Sequence, residues 1–172
     1  MARMLRIVGI DPGITGAVVV IDNNGEIKRA IRTPILMEKT KKNYDLSLMR
    51  EVLRGAQHDA EKEGGTAMVG LEKVHSLPRD GRVGAFRFGM GYGMWQGLLS
   101  GLFLPYAEVT PQRWQGRMLA GYPRGDQTKT SAVVVAKSLF PYIPIEYKAD
   151  WGLADAALIA EYTRRQHLGE DI

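Results

Sequence analysis

Residues 6–22 read RIVGIDPGITGAVVVID. Two apolar runs of strand length flank one aspartate, Asp11, and Pro12-Gly13 turns the chain between them. The pattern demands a β-hairpin whose first strand ends on an acid. An unpaired carboxylate buried there is costly. Asp11 therefore needs a compensating group: a metal ion, a ligand, or the hydrogen bonds of a tight turn.

The rest of the chain extends this start into an α/β pattern. Leu5 to Ile10, Gly16 to Ile21 and Ile27 to Thr33 read as three strands, with DNNGEI as the hairpin turn between the second and third. The stretch MEKTKKNYD reads as a basic surface loop. Asp45 is placed to cap a helix running to about Glu63, and Leu46, Met49, Val52, Leu53, Ala56 and Ala60 recur at helical spacing. Thr66 to Val74 reads as a buried strand whose apolar part ends at Glu72, and SLPRDGR as an exposed loop. A glycine-rich apolar segment from Val83 to about Leu102 and a short strand from Tyr106 to Val109 follow. Thr110-Pro111 opens a helix. Lys129 to Leu139 and Gly152 to His167 read as two more. A meander followed by alternating strands and helices predicts an α/β layer fold on a mixed sheet. No repeat or linker divides the 172 residues, so one domain spanning 1–172 is expected.

Composition narrows the chemistry. There are no cysteines and three scattered histidines, His58, His75 and His167. Thiolate sites are excluded, zinc is disfavoured, and any metal is expected on oxygen ligands, as Mg²⁺ or Mn²⁺ prefer. The absence of cysteine suits a reducing cytoplasm, and no apolar run reaches membrane-spanning length. The net charge of +4 leans toward a polyanionic partner.

Four acids stand out. Asp11 and Glu72 each end an apolar strand; Asp150 and Asp155 sit in KADWGLADAALIA. Asp150 near a helix start suits a capping role. Asp155, flanked by Ala154 and Ala156, suits that role less well. If the four converge they repel one another, and cations or raised pKa values must compensate. Two divalent ions about 4 Å apart suit such a set, and suit phosphodiester hydrolysis.

GIDPGITGAVVV, GLEKVHSLP with FGMGYGMWQG, VTPQRWQ and KADWGLADAALIA, in that order, resemble segments of the RuvC-type Holliday-junction resolvases, in the ribonuclease H-like superfamily. The phage and organellar branch is the most similar. The resemblance covers nearly the whole chain. It implies a three-layer ribonuclease H-like fold: a mixed five-stranded sheet, an antiparallel opening meander and helices on both faces. It implies catalytic, metal-holding roles for Asp11, Glu72, Asp150 and Asp155, with two Mg²⁺ per site (Mn²⁺ substituting) and no small-molecule cofactor. It also implies a homodimer that resolves four-way junctions by paired nicks, with a substrate range that extends to other branched DNA. The bacterial branch spaces its last two acids by three, which would put Gly152 where an acid belongs; here the spacing is five.

Exposed cations are the expected DNA contacts: Lys41 and Lys42 in one loop, Arg79 and Arg82 in another, and Lys148 beside Asp150. The resemblance gives His75 a stacking role on an unpaired base. Gly93, Gly97 and Gly101 recur every four residues and make one smooth helix face. The resemblance suggests a dimer contact for that helix; packing on the protomer's own sheet is the other reading. Two alternatives compete: a non-catalytic junction-binding protein, and an actin- or sugar-kinase-like phosphotransferase. The second rests on Asp11, Gly13 and Thr15, but needs a second such domain.

Overall fold

A computed structural model of the chain describes residues 5–73 and 81–170. Seven strands and five α-helices are assigned among them. The strands are β1 (Leu5–Asp11), β2 (Ala17–Asp22), β3 (Ile27–Arg32), β4 (Ile35–Glu38), β5 (Lys41–Tyr44), β6 (Thr66–Glu72) and β7 (Tyr106–Val109). The helices are α1 (Leu46–Lys62), α2 (Gly81–Gly101), α3 (Pro111–Met118), α4 (Thr128–Leu139) and α5 (Trp151–Leu168). Five strands form one mixed sheet in the order β3-β2-β1-β6-β7. The β1–β2–β3 meander is antiparallel, and β6 and β7 add in parallel beside β1.

Both faces of this sheet are covered, which is why β1 and β2 are apolar at nearly every position. Leu5, Ile7, Ala17, Val19 and Ile21 pack with α3, α4 and α5 on one face. Val8, Ile10, Val18 and Val20 pack with α1 and α2 on the other. The pleat sends alternate residues to opposite faces. By that parity Asp11 follows Ile7 and Gly9 to the α5 face. Glu72 follows Met68 and Gly70 to the same face.

Helix α5 lies directly against the backbone of β1. A Cβ added at Gly9 would stand 2.0 Å from the Ala156 carbonyl oxygen and 2.5 Å from the Ala160 nitrogen. Only glycine permits this approach. It seats the residue next to Ala156, Asp155, over the end of β1.

Three sequence expectations change. MEKTKKNYD is not a loop: all of it but the capping Asp45 falls within the antiparallel β4–β5 hairpin, Leu36 opposite Asn43 and Met37 opposite Lys42. Its turn carries Lys39 at φ 55°, a left-handed position normally signalled by glycine or asparagine. Second, the glycine-rich segment forms a helix of 21 residues that buries Gly91, Trp95 and Leu99. A Cβ at Gly93, Gly97 or Gly101 would meet nothing within 4 Å among the described residues, so that glycine face does not pack on the protomer's own sheet. Third, Leu46 is exposed rather than part of the buried stripe of α1. Asp45 caps α1 through the Leu48 amide and Thr110 caps α3 through the Arg113 amide, as expected. No helix among the described residues is long and apolar enough to cross a membrane.

Candidate active site

Register brings the first two acids together. Ile10 pairs with Leu71 across the parallel β1–β6 ladder, so Asp11 and Glu72 end neighbouring strands on one side of the sheet. Gly13 N–H donates to Asp11 Oδ1 at 3.3 Å, and the fully buried Trp114 donates its Nε1–H to Glu72 Oε1 at 2.8 Å. Asp155, buried on α5, is the third member. Lys129, in the first turn of α4, forms an ion pair with the Asp155 carboxylate.

Burial and mutual charge shift the proton affinities of this group. Burial, then the Asp155 charge, raises Asp11 to about 6, against the pull of Lys129 and the Gly13 amide. Burial, then the Asp11 charge, raises Glu72 to about 8. Burial also raises Asp155, though Lys129 opposes it. Burial pulls Lys129 down, but the three carboxylates, Asp155 foremost, hold it above the ordinary lysine value. Three carboxylates therefore face one ammonium, leaving a surplus of two negative charges in a desolvated place when all are ionised.

That donor set fits a hard divalent cation: all-oxygen, anionic and short of positive charge by two. Among the described residues, no three acidic or histidine side chains are gathered tightly enough to close around one ion. The Lys129 ammonium supplies the positive charge nearest the three carboxylates. Asp11, Glu72 and Asp155 are the acids that could hold a cation by drawing closer together.

A pH effect follows with a definite sign. Asp11 and Glu72 bind protons more tightly folded than unfolded, so their ionisation weakens the fold as pH rises from about 4 toward 8. The lowered acids Asp22, Asp150 and Glu161 are already ionised in both states above about pH 5 and do not offset this. In EDTA, Tm should fall by several degrees between pH 5 and pH 8. Mg²⁺ should restore it at pH 8 and do little at pH 5. Differential scanning fluorimetry with Glu72→Gln as control checks this; the variant should show a flatter profile.

Asp150, the fourth acid of the expected set, has partners other than these three acids. Its Oδ1 accepts from Arg32 Nε at 2.7 Å, and its Oδ2 accepts from the Glu146 and Tyr147 amides at 3.1 and 2.9 Å. The Tyr147 amide, chiefly, and Arg32 hold Asp150 below the usual carboxylate range. One oxygen is thus committed to Arg32 on β3 and the other to the turn before α5. Nor can an acid take the alternative place at 152: a Cβ at Gly152 would stand 2.7 Å from the Thr15 carbonyl oxygen.

Of the remaining expected residues, Lys42 and Lys148 reach the site. A cleft of about 660 Å³ opens beside Asp11 and is lined by Arg32, Lys42, Lys129 and Lys148. The Lys148 ammonium also lies 5.7 Å from the centre of the Trp151 ring. Lys41 is exposed on β5, and Arg82 is exposed at the start of α2. His75 and Arg79 lie outside the described residues. Sequence reasoning placed Lys129 only at the start of a helix and missed Trp114 and Arg32 as site residues. No spacing rule connects Lys129 to Asp155; the packing of α4 on α5 does.

No protein-family model matches the sequence, and no curated protein matches it. Solved structures do. The structure of T. thermophilus RuvC in complex with Holliday junction substrate superposes with a TM-score of 0.64, covering 94% of this chain and 96% of that one. The fold is that of RuvC. A second Thermus thermophilus RuvC structure gives 0.56, with 95% and 96% covered. Sequence identities to these two RuvC chains are 10% and 15%. The likeness to RuvC therefore lies in the architecture: the mixed five-stranded sheet with helices on both faces.

Proposed function

We propose that this chain is a divalent-metal-dependent endodeoxyribonuclease of the junction-resolving kind, one nuclease domain over its 172 residues. The convergence of Asp11, Glu72 and Asp155 at the strand ends carries the reading. A fold shared with a RuvC seen on a Holliday junction supports it and directs it toward branched DNA.

Mg²⁺, with Mn²⁺ as substitute and two ions per site, would supply activation of water and charge neutralisation on the cleaved phosphate when bound at such a centre. The chain's own groups prepare the place. Asp11, Glu72 and Asp155 provide the anionic cradle. Trp114 fixes one oxygen of Glu72. Lys129 stands where an approaching phosphate meets positive charge. Arg32, Lys42 and Lys148 line the cleft along which the DNA backbone approaches. Asp150 holds Arg32 there instead of binding a cation.

A homodimer would place two such centres on one four-way junction. The bare face of α2 supports this, since Gly93, Gly97 and Gly101 allow a second helix close approach. Gly97→Lys should convert a dimer to a monomer in light scattering without lowering Tm by more than about 2 °C, an exposed-site effect. A dimer unaffected by this change would place the interface elsewhere.

The deciding assay offers labelled four-way junction, flap, duplex and RNA–DNA hybrid, in Mg²⁺ and in EDTA. Paired nicks in the junction with Mg²⁺, and none with EDTA, are expected. Cleavage confined to the hybrid, or no cleavage of any branched DNA, would overturn the assignment.

A further inference from the structure

A groove of about 430 Å³ runs between the β4–β5 hairpin and the first half of α2, outside the carboxylate centre. It is lined by the cations Lys41, Lys42 and Arg87 and by the apolar Ile14, Phe88 and Met90. The three cations are exposed, and no carboxylate partner is assigned to them among the described residues. Phe88 remains partly open at 36% exposure.

Two observations join this groove to the active site. Ile14 and Lys42 line both the groove and the cleft beside Asp11, so the two are continuous. The Phe88 ring edge would lie 3.7 Å from a Cβ at Gly13, whose amide holds Asp11. A chain leaving the carboxylate centre past Ile14 therefore meets a partly exposed aromatic ring in a groove that also carries two lysines and an arginine.

Phosphate-binding cations around an accessible aromatic ring form a site for single-stranded nucleic acid. A duplex would present its phosphates to the cations but keep its bases stacked away from the ring. The geometry points to this groove as a subsite for an unpaired nucleotide next to the scissile phosphate, with its base on Phe88 and its phosphates on Lys41, Lys42 and Arg87. The subsite rests on the nuclease reading for its place in catalysis. Its occupant, a single DNA strand, follows from the charge and the aromatic ring. It gives the enzyme a means of preferring DNA whose strands have come apart.

Binding is measured in EDTA, so that cleavage does not intervene. The probes are a single-stranded oligonucleotide carrying one 2-aminopurine, a flap with a single-stranded arm, and a blunt duplex. Wild-type protein should quench the 2-aminopurine. Phe88→Ala should abolish the quench and weaken single-strand and flap binding about tenfold, with duplex affinity within twofold. Phe88→Tyr should restore both. Lys41→Ala and Lys42→Ala should each flatten the dependence of log affinity on log salt by about 0.7 for the single strand. Strand affinity that ignores Phe88→Ala, or falls equally on the blunt duplex without rescue by tyrosine, overturns the subsite. Phe88-dependent strand binding by a protein that cuts nothing would sink the nuclease reading and leave the groove standing. Junction cleavage with Phe88-independent strand binding would do the reverse.

Discussion

Asp11→Asn should lower four-way-junction cleavage by a factor on the order of 10³ or more while junction affinity stays within about threefold. Asparagine keeps the size of the side chain and an oxygen that the Gly13 amide can reach. It removes one of the three anionic charges that make the cradle attractive to a divalent cation. The basic cleft of Arg32, Lys42 and Lys148 is untouched, so DNA still binds. The Asp11 charge is also one reason Glu72 holds its proton up to about 8, so Glu72 should titrate lower in the variant. Asp150→Asn is the informative companion. If Asp150 serves the turn and Arg32, cleavage should drop by no more than about tenfold and Tm should fall by a few degrees. Equal losses from the two substitutions would return Asp150 to the catalytic set.

Gly9→Ala should be among the most damaging single methyl additions in the chain, costing about 3 kcal/mol or more and on the order of 10 °C in Tm. The added Cβ would meet the carbonyl of Ala156 and the nitrogen of Ala160, both backbone atoms held in a regular helix. No rotamer change relieves that overlap; α5 must lift from the sheet. Asp155 moves with it, so cleavage should fail even where the variant remains folded. Gly116→Ala in α3 is the control. Nothing stands within 4 Å of its Cβ position, and alanine there should be neutral or stabilising by up to ~1 kcal/mol. Thermal melts of the pair separate contact from propensity. A Gly9→Ala protein as stable as the control would mean that α5 does not lie as described.

Much of this arrangement is written in local sequence. The hairpin around Asp11, the caps at Asp45 and Thr110, and the strand ending on Glu72 all follow from neighbours in the chain. What escaped depends on distant partners. The fate of Asp150 is set by Arg32, 118 residues away, and by two amides of a turn with no helical or strand periodicity. Lys129 reaches Asp155 because α4 packs on α5. Gly9 looks like any small residue in an apolar strand until the helix crossing it is placed. The β4–β5 hairpin escaped because Lys39 occupies a left-handed turn position without the usual glycine or asparagine.

Anomalous scattering from crystals of the protein soaked in Mn²⁺ at pH 8 bears most directly on the reading of the site. Peaks within coordination distance of carboxylate oxygens from Asp11, Glu72 and Asp155, weakened or lost in Asp11→Asn, are predicted, with Lys129 turned away from Asp155. Mn²⁺ bound only at other acids, or no ion among these three while they remain ionised, would contradict it.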